Sequence, residues 1–349
     1  MGGASTAVAP WRTEPRSNRC RRNITRYLRD RVMVVTSNRG TTASSSSGDD
    51  SKTKPSPTVD PNKTNSNAFG PDNETTALAL RPPETALTPL MTRLREKTRT
   101  FSYPPLNNLR LTVDQKWNED KVGTGASVWD AADVLSNTLA STGLMKALQT
   151  CQIDSSVATN EHALQWWHGK SVVELGAGLG LSSMVCSALG AKVLATDGDD
   201  VVVQACSQVF LDNTEAIEAS ALHSVMTPPS AGRLLWGDQS DCQSIKRWIE
   251  NANDASSNYP HVILMSDVIY GENELVWTLL LETLNAIAGP STFIVLAHTK
   301  RGAKKTEKRF ITLASEVGFS VINAETFVEQ KDGFVAVTVV YALSRSDRS

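Results

Sequence analysis

The sequence is short of paired cysteines, of long apolar runs and, over one stretch, of apolar residues of any kind. Its five cysteines, Cys20, Cys151, Cys186, Cys206 and Cys242, are scattered and form no CxxC pair. Such spacing predicts neither a zinc site nor a disulfide framework. Cys186 and Cys206 lie in apolar, helix-spaced surroundings and read as buried thiols of a reducing compartment. No stretch approaches 18 apolar residues, so no membrane span is expected. The start lacks the apolar core of a secretory leader. Between 41 and 66 only Ala43 and Val59 are apolar. That is too few to offset the entropy of ordering the chain, so disorder is expected there.

Lysine is absent from the first 40 residues, which instead carry nine arginines against only Glu14 and Asp30. The whole chain has a net charge of -2, so a basic arm precedes an acidic body. An acidic body argues against a general nucleic-acid binder. Met1-Gly2-Gly3-Ala4-Ser5-Thr6 fits a myristoylation signal, and the arginine-rich, acid-poor arm also suits an organellar transit segment. A disordered extension of no such function ranks ahead of both. The cytoplasm is therefore the expected location, with organellar targeting as the alternative.

The pattern divides the 349 residues into a largely disordered extension, 1–100, and a catalytic-sized domain, 101–345. Weak order is expected at 86–98 and compact structure from about Leu109. From there strand and helix patterns alternate, which predicts a doubly wound α/β domain on a mostly parallel sheet. Leu109–Val113 reads as an antiparallel lead-in strand. A helix is expected over 129–148, strands at Ser171–Leu175 and Lys192–Thr196, and helices at 180–189 and 199–211. Ala221–Met226 reads as the third strand, His261–Ser266 as the fourth and Thr292–Ala297 as the fifth. A helix is expected over 304–317. Phe319–Asn323 and Phe334–Ala342 follow with no helix between them, a final hairpin that a plain dinucleotide fold lacks.

The strongest chemical signal is Val172-Val173-Glu174-Leu175-Gly176-Ala177-Gly178-Leu179-Gly180. An apolar strand runs into GxGxG and then into a helix, leaving bare backbone for a ligand and free N–H groups at the helix start. One strand later Asp197 closes AKVLATD, where an acid can take both hydroxyls of a ribose. This combination fits NAD or S-adenosylmethionine. Two details favour the latter: the third glycine, Gly180, breaks the GxGxxG spacing, and Glu174 stands where a carboxylate meets a cationic amine but repels a pyrophosphate.

Ser266-Asp267-Val268-Ile269-Tyr270 follows the fourth strand and points at the same crevice. A carboxylate beside an aromatic ring suits a cationic or amine acceptor. The alternative is that Asp267 caps the next helix and Tyr270 packs. In Leu235-Trp236-Gly237-Asp238, Trp236 can stack on adenine with Asp238 near the exocyclic amine, or simply belong to the core. Trp129, in Gly125-Ala126-Ser127-Val128-Trp129-Asp130-Ala131-Ala132, is either a wall of the cofactor pocket or core. Lys300, Arg301, Lys304, Lys305, Lys308 and Arg309 read as a solvated helix face, with an acidic partner surface as the second possibility.

These segments occur in an order that resembles the seven-β-strand protein-lysine methyltransferases called methyltransferase family 16. The resemblance covers roughly 105–343 and includes enzymes acting on chaperones, an ATPase, calmodulin and translation factors. It implies a Rossmann-like sheet ordered 3-2-1-4-5-7-6 with the last strand antiparallel. It implies S-adenosylmethionine as methyl donor, with Glu174, Gly176 and Gly178 at its methionine end, Asp197 at the ribose, Trp236 on the adenine side and Trp129 as pocket wall. Asp267 and Tyr270 then match the acidic-x-x-aromatic motif at the acceptor lysine of a protein substrate, with Asp267 also bordering the donor; the candidate substrates are a chaperone, an ATPase or a translation factor. The polar insertion Gln149–Asn160 and the long N-terminal extension depart from the family pattern.

Three readings stay open on the residues themselves: a protein-lysine methyltransferase, a methyltransferase for another acceptor (a protein histidine, a small amine or RNA), and a non-catalytic binding module of the same fold. An RNA enzyme is expected to carry an Asn-Pro-Pro-Tyr-type motif where this chain reads Asp267-Val268-Ile269-Tyr270. No metal is expected.

Overall fold

The computed structural model describes residues 89–116, 124–141, 160–222, 227–253, 257–271, 273–301, 304–331 and 334–345. The arginine-rich arm, the polar segment 41–67 and the insertion 149–159 lie outside the described residues.

Order begins ahead of Leu109. Helix α1 (Pro89–Arg95) leads into an antiparallel hairpin of β1 (Thr98–Tyr103) and β2 (Leu109–Asp114). Along β2, Leu109, Leu111 and Val113 are buried and alternate with exposed residues, the period-2 signature of a strand with one wet face. The hairpin is a separate two-stranded sheet. Asn213 pins it: its Oδ1 accepts from Thr112 N at 2.8 Å and its Nδ2 donates to Thr112 O and Val209 O, both at 2.8 Å. A short 3-10 turn, Thr124–Ala126, and helix α2 (Asp130–Ala140) follow. Residues 142–148, expected to continue that helix, lie outside the described residues.

Helix α3 (Asn160–Gln165) precedes β3 (Ser171–Leu175), whose five residues are all buried, as a strand covered by helices on both faces must be. Then come α4 (Leu181–Ala188), β4 (Lys192–Asp197), α5 (Asp200–Asp212), α6 (Thr214–Ser220), β5 (Ser230–Arg233), α7 (Gln239–Ala252), β6 (Val262–Ser266), α8 (Glu274–Ile287), β7 (Phe293–Thr299), α9 (Lys304–Glu316), β8 (Phe319–Lys331) and β9 (Phe334–Arg345). The seven-stranded sheet runs β5-β4-β3-β6-β7-β9-β8, parallel through β7, with β9 antiparallel to both neighbours. Counted from β3 this is 3-2-1-4-5-7-6, the expected doubly wound fold.

The third strand is a correction. It is Ser230–Arg233; of the expected Ala221–Met226, Ala221 and Leu222 follow helix α6 outside any strand, and 223–226 lie outside the described residues. Ser-Ala-Gly-Arg is an edge strand paired only with β4; with no buried face it has no hydrophobic period to read.

Each face of the sheet covers its own core. Val172, Val193, Ala195 and Leu264 pack on the side of α2 and α4. Val173, Leu175, Ile263, Met265, Ile294 and Leu296 pack on the side of α7, α8 and α9, with Ile245, Trp277, Leu280 and Phe310. The chain leaves β3 towards β4 and later returns to β6 on its other side. The crevice therefore opens at the carboxyl ends of β3, β4 and β6, where strand order reverses.

Candidate active site

Glu174 shares its face of the sheet with Val172, and Asp197 shares that face with Val193 and Ala195. The parallel register sets Glu174 beside Ala195, one pleat from Asp197. The two carboxylates thus end adjacent strands on one side of the sheet. Burial raises the thiol of Cys206, and after burial the charges of Glu174 and Asp197 add to that rise; both acids therefore act on one sulfur.

Glu174 is buried. Its Oε2 accepts from the Ser183 hydroxyl at 2.6 Å, whereas its Oε1 is buried and has no hydrogen-bond partner. Burial pushes its carboxyl up to about 7, against the opposing pull of the Ser183 hydroxyl, the Ser183 N–H and the Ser182 hydroxyl. Asp197 sits at the mouth, where its Oδ2 accepts from Gly178 N and its Oδ1 from Asp199 N, each at 3.2 Å. Burial raises this carboxyl too, and the N–H groups of Asp199 and Gly178 oppose the rise.

The turn between the acids is bare. Gly176 and Gly178 have φ of +66° and +56°, values that favour glycine. A methyl group on Gly176 would lie 2.9 Å from Val268 Cγ1 and 3.2 Å from Trp236 Cζ2, and one on Gly178 would lie 2.7 Å from Gly125 O. Gly176 is therefore the meeting point of the Trp236 ring and the Asp267–Tyr270 segment. Gly178 lets the Thr124–Ala126 turn close on the loop.

Trp236 is half-buried beside Gly176. Asp238 caps α7, its Oδ1 accepting from Ser240 N and Asp241 N, because orphan N–H groups at a helix start recruit such an acid.

Asp267 does not cap the next helix; Asn273 does, accepting from Leu275 N. Asp267 has φ +52° and ties two strand tips together, its N–H donating to Ala297 O and its Oδ1 accepting from Thr299 N at 3.0 Å. Its Oδ2 pairs with Arg301 Nη2 at 2.6 Å. The Arg301 guanidinium in turn lies 4.6 Å above the Trp129 ring, whose Nε1 donates to Thr124 O at 3.0 Å. His298 Nδ1 stands 3.8 Å from Asp267 Oδ1, and burial lowers its imidazole despite that carboxylate. Tyr270 is exposed. Partial desolvation, then the Asp197 charge, raises its phenol.

Glu174, Gly176, Gly178, Asp197 and Trp236 thus form one cluster, and Trp129, Asp267 and Arg301 a second, joined through Val268, whose side chain meets Gly176; Tyr270 lies exposed at the end of the Asp267–Tyr270 segment. Ser183, Gln115, His298 and Arg301 escaped sequence reasoning. Gln115 joins α1 to the start of α2 by donating to Arg93 O and Glu96 O and accepting from Val128 N. Of the basic run after β7, Arg301 is turned into the site, Arg309 pairs with Glu274 and Lys300 with Glu307.

The sequence profile described as lysine methyltransferase matches residues 106–317 of this chain. The chain belongs to the lysine methyltransferase family. Protein N-lysine methyltransferase METTL21A of Danio rerio is 27% identical over 239 residues, covering 67% of this chain and 85% of that protein. The Mus musculus METTL21A is 29% identical over 236 residues, covering 68% and 85%. EEF1A lysine methyltransferase 3 of Xenopus tropicalis is 32% identical over 134 residues, covering 38% of this chain and 48% of its own. This methyltransferase is S-adenosylmethionine-dependent and its substrates are proteins. The site also fits that donor on its own geometry: an unpartnered buried carboxylate oxygen for an ammonium, bare backbone, and a second carboxylate within one pleat. No helix among the described residues is long and apolar enough to cross a membrane, and none of them groups His, Cys, Asp or Glu into a metal site.

Proposed function

We propose that the crevice at the ends of β3, β4 and β6 transfers a methyl group to a lysine Nζ of a protein, with Glu174 and Asp197 holding the two ends of the donor. The observation that carries this reading is the unpartnered Glu174 Oε1, buried one pleat from Asp197. A buried lone carboxylate oxygen is unfavourable unless a cation or donor reaches it; the methionine ammonium is such a group. Asp197 takes the ribose hydroxyls, Trp236 flanks the adenine, Gly176 and Gly178 leave room for the donor's body, and Trp129 walls the pocket. The catalytic domain on this reading is 101–345, with α1 and the start of β1 as its lead-in.

When bound, S-adenosylmethionine would supply an electrophilic methyl carbon to the lysine Nζ, its methyl C–S bond breaking as the N–C bond forms and the neutral thioether S-adenosylhomocysteine leaving. The residues supply alignment. Asp267 accepts an N–H of the amine and orients it, and Tyr270, exposed at the rim, covers the lysine stem. The amine must be neutral, yet with a pKa near 10.4 only about 0.1% is neutral near pH 7.4. The proton leaves to water rather than to Asp267.

The relatives act on protein amines, and one is named for EEF1A; a translation factor, a chaperone or an ATPase is the substrate class we infer. The buried free thiols of Cys186, Cys206 and Cys242 fit a reducing compartment, and we assign the enzyme to the cytoplasm. A fusion of residues 1–45 to a fluorescent reporter tests that assignment: import into an organelle overturns it. For the reaction, the full-length enzyme and tritiated-methyl donor are added to a cell extract, and the labelled protein is mapped by mass spectrometry. Label on a lysine Nζ supports the reading; label only on nucleic acid, or none, defeats it. Asp267→Ala is expected to abolish transfer while donor affinity stays within a few-fold.

A further inference from the structure

Asp267 creates a difficulty for the chemistry just described. A bare carboxylate beside the acceptor amine favours the ammonium, the form that cannot attack. The structure supplies what removes that difficulty. Arg301, on the loop between β7 and α9, places Nη2 2.6 Å from Asp267 Oδ2 and its guanidinium 4.6 Å over the Trp129 ring. Asp267 Oδ1 accepts from Thr299 N at 3.0 Å. An ionised carboxylate has about four acceptor sites, so these two bonds leave room for a lysine N–H.

We propose that Arg301 is a positioning residue for methyl transfer: as the fixed counter-ion of Asp267, it lets that carboxylate orient the acceptor lysine without holding it protonated. The inference rests on the function proposed above and extends it to a residue outside the Asp267–Tyr270 segment.

The surrounding charges agree. His298 Nδ1, 3.8 Å from Asp267 Oδ1, is held towards the neutral form by burial and supplies no competing cation. Lys300 is paired with Glu307 at 3.3 Å on the α9 side, so neither adds a bare charge. Asp197, on the neighbouring strand tip of β4, is the donor's ribose acid on the reading above and is not in contact with Asp267 in any hydrogen bond or ion pair of the described residues. Arg301 is thus the cation in contact with Asp267 among the described residues. Guanidinium suits the role because it stays charged and stacks on indole while hydrogen-bonding a carboxylate. Trp129, anchored through its Nε1 to Thr124 O, holds the plane in place.

The test measures single-turnover methyl transfer from pH 6.5 to 9.5 for the full-length wild type, Arg301→Gln and Arg301→Lys. The acceptor is the extract protein that the wild type labels. Calorimetric titration of S-adenosylmethionine checks that each variant is folded and keeps donor affinity within a few-fold. Arg301→Gln uncovers the Asp267 charge, so the rising limb of the rate profile moves about one pH unit higher. Near pH 7.5 the rate then falls about tenfold, and the variant profile overlays the wild-type one once displaced by about one pH unit. Arg301→Lys keeps the charge and therefore the wild-type limb, at a lower rate throughout because the fork and the stack are lost. An unshifted limb in Arg301→Gln overturns the proposal. So does faster transfer at low acceptor concentration, which would make Arg301 a competitor for the lysine site. If the wild type labels no protein, the functional reading itself fails and the inference with it.

Discussion

Glu174 and Ser183 are locked together at 2.6 Å through Oε2, while the other Glu174 oxygen is equally enclosed and has no partner. Burial lifts this carboxyl from 4.5 to about 7. A raised acid pKa means that the folded state keeps its proton where the unfolded state has lost it. The donor-free enzyme is therefore most stable below pH 4.5 as far as this group is concerned. It loses stability as pH rises from 4.5 to about 7, by roughly 3 kcal/mol, and the loss flattens above that. Glu174→Gln has no such proton to lose. Denaturant titrations at pH 5.5 and 7.5 are expected to show a smaller decline for Glu174→Gln than for the wild type; parallel declines would mean that Glu174 ionises freely.

Asp197 presents its carboxylate at the mouth of the crevice, oriented by Gly178 N and Asp199 N. Hydrogen bonds to a charged group contribute about 1.5–3 kcal/mol each. Asp197→Ala removes two ribose contacts and is expected to weaken S-adenosylmethionine binding by at least about 100-fold. The side chain lies at the mouth, so the melting temperature should move little. Calorimetric titration and thermal melting check the two halves, and unchanged affinity would take the ribose away from Asp197.

Asn213 stands far from the chemistry and imitates a strand edge, bonding both the N–H and the C=O of Thr112. It is buried, so Asn213→Ala opens a cavity and removes the partners of the part-buried Thr112 N–H and C=O. The expected loss is about 2–4 kcal/mol by urea titration, with donor affinity within a few-fold of wild type at temperatures where the variant is folded. A loss under about 0.5 kcal/mol, the range of a neutral surface change, would mean that the hairpin needs no such anchor.

How much of this was legible in the sequence follows from burial. β3, β6 and β7 are covered on both faces and announce themselves as apolar runs, such as Val262 to Met265. Glu174 and Asp197 were legible because their places relative to the glycine turn follow from strand and turn geometry. Ser230–Arg233 was not, since an edge strand with no buried face leaves no period. Arg301 was hidden differently. It belongs to a run of six basic residues that reads as a wet helix face, and only the tertiary contact with Asp267 and Trp129 singles it out. The helix cap made by Asp238 was not read from the sequence, because the same residue type serves a cap and a ligand contact.

The grip of Glu174 on the donor's ammonium is tested most directly by titrating S-adenosylmethionine into the full-length enzyme calorimetrically between pH 5.5 and 7.5. An α-amino group stays charged below about 7.7, so the ammonium is constant in this window, and the Glu174→Gln comparison separates the change at Glu174 from that at Asp197, whose carboxyl burial also raises. Affinity is expected to climb with pH as the carboxylate forms, approaching tenfold per unit well below pH 7, and to be weak and nearly flat in Glu174→Gln. Wild-type affinity that does not vary with pH, or a Glu174→Gln variant that binds as tightly at pH 7.5, would contradict the account.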